Sequence, residues 1–240
     1  MRTFIRILIA GIGALLTLGT LSGCSGTESP SASSSTGSSA ASSTPAPAPE
    51  ANTPFPESAK YIADMAAAEG RTMTIGIAVD GADIAAYACN GVDDEAWFFG
   101  TQTDGQIDIT GKFRDTLSAS FDGTDVVGDL TMNGVSYRFS AAAVAAPAGM
   151  YTGEVNGIRA TWVVRPGDTA VGVQHDTTLK PIDASPDPNL LTDPEFRDQI
   201  RNGRSLRPAS PILSLQDGSG IADIDGQQVT LQIVNGDFRL

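Results

Sequence analysis

The sequence predicts a mainly β fold: an antiparallel up-and-down meander closing into a barrel, with a β-sandwich as the alternative. Three observations predict it. Turn dipeptides recur through the middle of the chain, among them Asp80-Gly81, Asn90-Gly91, Asp104-Gly105, Asp122-Gly123, Asn133-Gly134, Asn156-Gly157 and Pro166-Gly167. Asn-Gly and Asp-Gly favour tight hairpins because both central turn positions need positive φ. Between the turns, apolar and polar residues alternate with the period of a strand.

The alternation runs through Met73, Ile75, Ile77 and Val79, then through Val135, Tyr137 and Phe139, then through Ile158, Ala160, Trp162 and Val164. Each set implies one dry and one wet face. About nine or ten such strands fit between Thr72 and Asp176. A one-sided sheet of that length would expose two edges and an apolar face, which closure removes. Short successive turns favour the barrel over a sandwich, which needs longer crossing connections.

Two short helices are expected around the meander. Tyr61, Ile62 and Met65 share one helical face within residues 57–69, with Gly70 following. Asp193-Pro194-Glu195 reads as a helix start, with Asp193 as cap and Pro194 in the first turn; Phe196 and Ile200 pair at i, i+4 before Gly203. Pro181 to Asn189 reads as loop. Ile212–Leu215, Ile221–Ile224 and Gln228–Val234 read as final strands, the last two joined by Asp225-Gly226. These are too few for a separate domain and are expected to pack on the meander. The resulting division is an address at 1–23, a tether at 24–55, the β domain at 56–180 and its C-terminal additions at 181–240.

The beginning of the chain carries the clearest motif. Arg2 and Arg6 precede an apolar run from Ile7 to Leu18, the pattern of a secretory signal peptide and too short for a comfortable span. It ends in Leu21-Ser22-Gly23-Cys24, which resembles the lipobox of bacterial lipoproteins. The resemblance implies a diacylglycerol on the Cys24 thiol, cleavage before it, and a protein held by lipid on the outer face of the cell membrane. Two or three acyl chains would anchor stably where one is marginal. Ala86-Tyr87-Ala88-Cys89-Asn90-Gly91, with Glu95-Ala96-Trp97, is similar to an uncharacterised β domain of exported actinobacterial proteins. That likeness implies fold and location only.

Residues 25–54 contain only Ser, Thr, Ala, Pro, Gly, Asn and two Glu. Such a segment builds no core and reads as a flexible tether with an end-to-end distance of roughly 30 Å, or as a glycosylated stalk.

Charge and cysteines narrow the function. The chain has 15 basic and 28 acidic residues, a formal charge of −13. Loss of Arg2 and Arg6 with the signal leaves 13 basic residues against 28, or −15. This balance excludes a general nucleic-acid binder. Two cysteines exclude a disulfide scaffold. With Cys24 lipidated, Cys89 reads as a buried small hydrophobe in a strand; without lipidation, a Cys24–Cys89 bridge is open.

Motifs for chemistry are sparse. The mature chain has no nucleophile elbow, phosphate loop or His-Glu-x-x-His. His175 is the sole histidine and, at a strand end, reads as a part-buried or rim residue. No metal or cofactor is expected. Asp93-Asp94-Glu95 and Asp223-x-Asp225-Gly226 lack a complete calcium loop and read as solvated hairpin tips. Trp97, Phe98 and Phe99 place aromatics on both faces of one strand, either as a ligand-contacting patch or covered by the N-terminal helix. The expected function is a non-enzymatic envelope lipoprotein whose β domain binds an envelope lipid, glycan or protein, or scaffolds. The alternative is a carrier of a small apolar or lipid ligand in the barrel, where large residues such as Tyr137, Phe139 and Trp162 alternate with Ala and Gly.

Overall fold

Eight antiparallel strands, taken in chain order, close into a barrel. They are β1 (Ser58–Ala66), β2 (Thr72–Asp80), β3 (Asp83–Cys89), β4 (Glu95–Thr103), β5 (Gln106–Thr110), β6 (Thr116–Phe121), β7 (Val126–Met132) and β8 (Val135–Ala143). The structure, a computed structural model, describes residues 53–178, 193–216 and 218–240. Cys24, the lipobox, the tether to residue 52 and the Pro181–Asn189 segment lie outside the described residues. Pairing of Tyr61 with Ala143 and Ile62 with Ala142 joins β1 to β8 and completes the ring. The hairpin chemistry is as predicted at Asp104-Gly105, Asn133-Gly134, Asn156-Gly157 and Asp225-Gly226, where both positions have positive φ, whereas at Asp80-Gly81, Asn90-Gly91 and Asp122-Gly123 only the glycine does.

One predicted helix is a strand. Residues 58–66 form β1, and only Ala68–Gly70 make a single 3-10 turn. Tyr61, Ile62 and Met65 do fit a helical face, but Tyr61, Ala63 and Met65 also alternate, and these three join the barrel core. β1 pairs with β2 along its whole length, from Ser58–Asp80 to Ala66–Thr72. The hydrogen bonds and burial gained by closing the ring outweigh the weak local preference of an alanine-rich segment.

The barrel interior is a packed core. Ile75, Ile77, Ile84, Phe98, Ile107, Leu117 and Leu130 are fully buried and form one cluster with Tyr61, Phe121 and Phe139. An eight-stranded barrel is just wide enough for such filling. Phe55, placed in the tether by the sequence reading, belongs to this core: its ring stacks on Phe121 at 5.0 Å and meets Tyr61 edge-on at 6.0 Å. It plugs the end of the barrel beside the β6–β7 turn. The barrel fold is compatible with binding or carriage, but filled as it is, its interior leaves the exterior as the place to find a ligand site.

The remaining strands build a second sheet. They are β9 (Gly149–Val155), β10 (Ile158–Val164), β11 (Ala170–Asp176), β12 (Ser205–Pro208), β13 (Ile212–Gln216), β14 (Ser219–Ile224) and β15 (Gln227–Ile233). Their order is β12-β11-β10-β9-β15-β14-β13, antiparallel throughout. Trp162, expected inside the barrel, lies here with Tyr151, Ala160, Ile224 and Leu231. Its indole N–H donates to the Ser210 carbonyl at 2.9 Å, in the short link between β12 and β13.

The opposite face of this sheet covers the barrel. Met150, Val163 and Val173 pack on the outward-facing Ala78, Ala85, Tyr87 and Cys89. β2 and β3 are thus buried on both faces, where one wet face was expected, while the outer faces of β5 and β6 keep it. Gly76 makes the close approach possible: a Cβ there would collide with the Met150 side chain. Cys89 is a free, fully buried thiol, pushed up to about 12 by burial. The predicted C-terminal helix is present as α1 (Pro194–Asn202), with Asp193 Oδ1 accepting from the Glu195 N–H at 2.9 Å and Gly203 following.

Candidate functional site

Hairpin turns alternate between the two ends of the barrel. One end holds the β6–β7 turn and Phe55. The other holds the turns after β1, β3, β5 and β7, and α1 docks there. Asn90 organises the turn after β3: its side-chain oxygen accepts the backbone N–H groups of Val92, Asp93 and Asp94 at 2.9, 3.0 and 3.0 Å. This folds Asp94 inward. Asp94 accepts from Arg201 at 2.6 Å, and Arg201 also donates to the buried Asp115. Asp115 in turn accepts the Asn133 N–H at 3.0 Å. Burial holds Asp94 above the usual carboxylate range despite its arginine partners.

The acidic run Asp93-Asp94-Glu95 is therefore not the solvated tip that was expected. Asp93 is exposed, Asp94 is part-buried in ion pairs, and Glu95 is buried. The other acidic motif does sit at a hairpin tip, where Asp223 caps the Gly226 N–H at 2.8 Å and Asp225 pairs with Arg207 at 3.0 Å. Among the described residues no group of three or more His, Cys, Asp and Glu is placed to hold a metal ion.

Beside this end lies a cleft of about 560 Å³, where barrel, second sheet and helix meet. β4 contributes Glu95, Trp97 and Phe99; the β5–β6 turn contributes Lys112 and Phe113. β10 and β11 contribute Arg159 and His175, α1 contributes Ile200, and Arg204 and Leu240 complete the wall. Clefts of this size at the junction of structural units are the usual setting of small-ligand sites.

A buried polar network forms one wall. Glu95 is 2% exposed and accepts from the Tyr87 hydroxyl at 3.0 Å and from an Arg159 terminal nitrogen at 3.2 Å. The same Arg159 nitrogen donates to His175 Nδ1 at 3.3 Å, from the position directly across the β10–β11 pair. His175 Nδ1 is 3.6 Å from Glu95, too long for a hydrogen bond. A guanidinium only donates, so Nδ1 is the acceptor and the ring proton is assigned to Nε2. Burial, then the Arg159 and Arg204 cations, push His175 down to about 4, and the ring is neutral at physiological pH. Burial, with Cys89 and Glu95 adding, holds the Tyr87 hydroxyl well above the ordinary phenol range.

Aromatic rings form the other wall. Trp97 stacks on Phe99 at 5.2 Å and contacts Tyr87 at 4.8 Å and Phe238 at 5.4 Å. Arg204 lies over Phe113 at 4.8 Å, and its guanidinium donates to the Glu95 carbonyl at 3.0 Å. The β4 aromatics are covered by the segment carrying Phe238 and Arg239, with Arg239 over Phe99 at 5.6 Å, rather than by an N-terminal helix. Phe98 points the other way, into the barrel.

Of the residues singled out in the sequence, Glu95, Trp97, Phe99 and His175 come together in this cleft, whereas Cys89 lies in the buried interface and Cys24 outside the described residues. The sequence reading missed Arg159, Arg204 and Lys112. Arg159 and Arg204 reach Glu95 across 64 and 109 positions of the chain, and no local pattern encodes such pairs. The available signal was an arginine on the middle-sheet side of a strand buried on both faces. Comparison of the chain with family models, curated proteins and solved structures finds no match.

Proposed function

We propose that this protein is an exported lipoprotein, held on the outer face of the cell membrane by lipid on Cys24, whose folded domain binds a ligand without turning it over. The observation that carries the binding role is the cleft of about 560 Å³, walled by stacked aromatics on one side and by a buried polar network on the other. Its chemistry favours holding over reaction. The His175 Nδ1 lone pair accepts from Arg159 and the ring proton is assigned to Nε2, so neither ring nitrogen is free to take a proton from a neighbouring hydroxyl. The Glu95 carboxylate is likewise engaged by Tyr87 and Arg159.

The lipobox motif Leu21-Ser22-Gly23-Cys24 supports the anchor. Phe55 enters the barrel at the end opposite α1, so a tether leading to Phe55 attaches away from the cleft. The expected ligand is an envelope lipid, glycan or protein.

Mass spectrometry of the chain purified from membranes of its native host tests the anchor. The expected result is an N-terminal Cys24 bearing diacylglycerol, and release of a Cys24→Ser variant from the membrane fraction. An unmodified Cys24, or a membrane-bound Cys24→Ser variant, contradicts the anchor. Steady turnover of a small molecule in the cleft contradicts the non-enzymatic role.

A further inference from the structure

The geometry points to a ligand of one chemical class: a small amphiphilic anion, with a flat apolar body against the Trp97–Phe99 wall and a carboxylate or similar oxyanion towards Lys112, Arg159 and His175. This rests on the cleft being the binding site. The apolar half follows from the rings. Trp97 and Phe99 are stacked with an interplanar angle of 19°, and Phe113 and Ile200 face the same space. The parts of these rings that the Phe238–Arg239 segment leaves open line the cleft and offer rigid apolar surface to a flat group at little entropic cost.

The anionic half follows from an inventory of donors and acceptors. Both acidic side chains lining the cleft are already engaged, Glu95 by Tyr87 and Arg159, and Asp115 by Arg201 and the Asn133 N–H. Arg204 is spent on the Glu95 and Arg201 carbonyls. Among the charged and ring side chains of the lining, what remains is donors. His175 keeps its Nε2–H, given that Nδ1 accepts from Arg159. Lys112 is exposed at the cleft; its ammonium lies over the Phe113 ring, 5.9 Å from the centroid, and forms no ion pair among the described residues. Two buried donors on lining side chains, Trp97 Nε1 and Arg159 Nε, have no acceptor among the described residues. A cleft whose unspent groups are cations and N–H donors selects a ligand rich in acceptors. In a chain of formal charge −13 this local excess of donors runs against the overall field and discriminates at short range.

The probes are 2-naphthoate, 2-naphthylmethanol and 2-naphthylmethylamine, which share a flat body and differ in charge. They are titrated calorimetrically into the full mature chain in detergent. The inference predicts that naphthoate binds at least about tenfold tighter than the alcohol, with the amine weakest. Lys112→Ala, at an exposed position, should weaken naphthoate about threefold or more and leave the alcohol unchanged. Equal binding of acid and alcohol, or tighter binding of the amine, overturns the anionic class while leaving the cleft as a site. Unchanged naphthoate affinity in Lys112→Ala overturns the assignment of the anion to this rim. Failure of all three probes to bind overturns the flat apolar body, and with it this ligand class.

Discussion

His175 is held neutral by its surroundings, and that has a measurable consequence for stability. Its folded-state value is about 4 against an ordinary 6.5, lowered by burial first and then by Arg159 and Arg204. As pH falls below 6.5 the unfolded chain takes up the proton before the folded one does. Stability from this group is thus complete above about 6.5 and is lost progressively down to about 4. At about 1.4 kcal/mol per pH unit the whole loss is at most about 3 kcal/mol. Denaturant unfolding at pH 7 and pH 5 should show wild type losing about 2 kcal/mol more than His175→Gln, which accepts the Arg159 bond but never charges. Identical losses would show that the imidazole is solvated and outside the network. The position of His175 at a strand end and rim was legible in its parity with Val171 and Val173. Its partners were not, because Arg159 and Glu95 reach it only through the pairing of β10 with β11 and the docking of the second sheet on β4.

At the scale of elements, the join between the two sheets rests on small residues. Gly76 on β2 leaves room for Met150 on β9, and Ala78 and Ala85 are buried in the same interface. Gly76→Ala should force Cγ and Sδ of Met150 to move and destabilise the fold by about 1–3 kcal/mol, read from the denaturant midpoint. Adding Met150→Ala should recover part of that loss by clearing the space, whereas additive losses would place the two residues apart. This interface also explains what local patterns reveal and what they conceal. The hairpins at Asp104-Gly105 and Asn133-Gly134 are encoded by residues that tolerate positive φ, and the cap at Asp193 by a side chain two residues from its partner. The strand β1 is encoded locally only by the short alternation of Tyr61, Ala63 and Met65. Its alanines and the Tyr61–Met65 spacing also read as helix, and the vacancy between β2 and β8 decides for the strand.

For the whole molecule, the mainly β antiparallel barrel follows from alternation and turn spacing, but its stopping point does not. Ten strands lie between Thr72 and Asp176, yet the ring closes at β8 and the next three strands start a second sheet. The difference lies in β10, whose two faces are both buried: Trp162 and Val164 need a core of their own, and Val163 needs the barrel's outer wall. A strand with two dry faces cannot sit in the free half of a barrel facing water. The docking of that sheet also creates the cleft, which belongs to neither layer alone. Trp97 lies in the cleft and Trp162 in the second-sheet core, each with one indole N–H, which makes a direct test available. The decisive measurement is the pair of indole signals in a proton–nitrogen NMR spectrum of the mature chain during titration with 2-naphthoate. The account predicts a saturable shift of the Trp97 signal with the Trp162 signal, bonded to Ser210, unmoved. A saturable shift of Trp162 with Trp97 unmoved would contradict the cleft as the binding site.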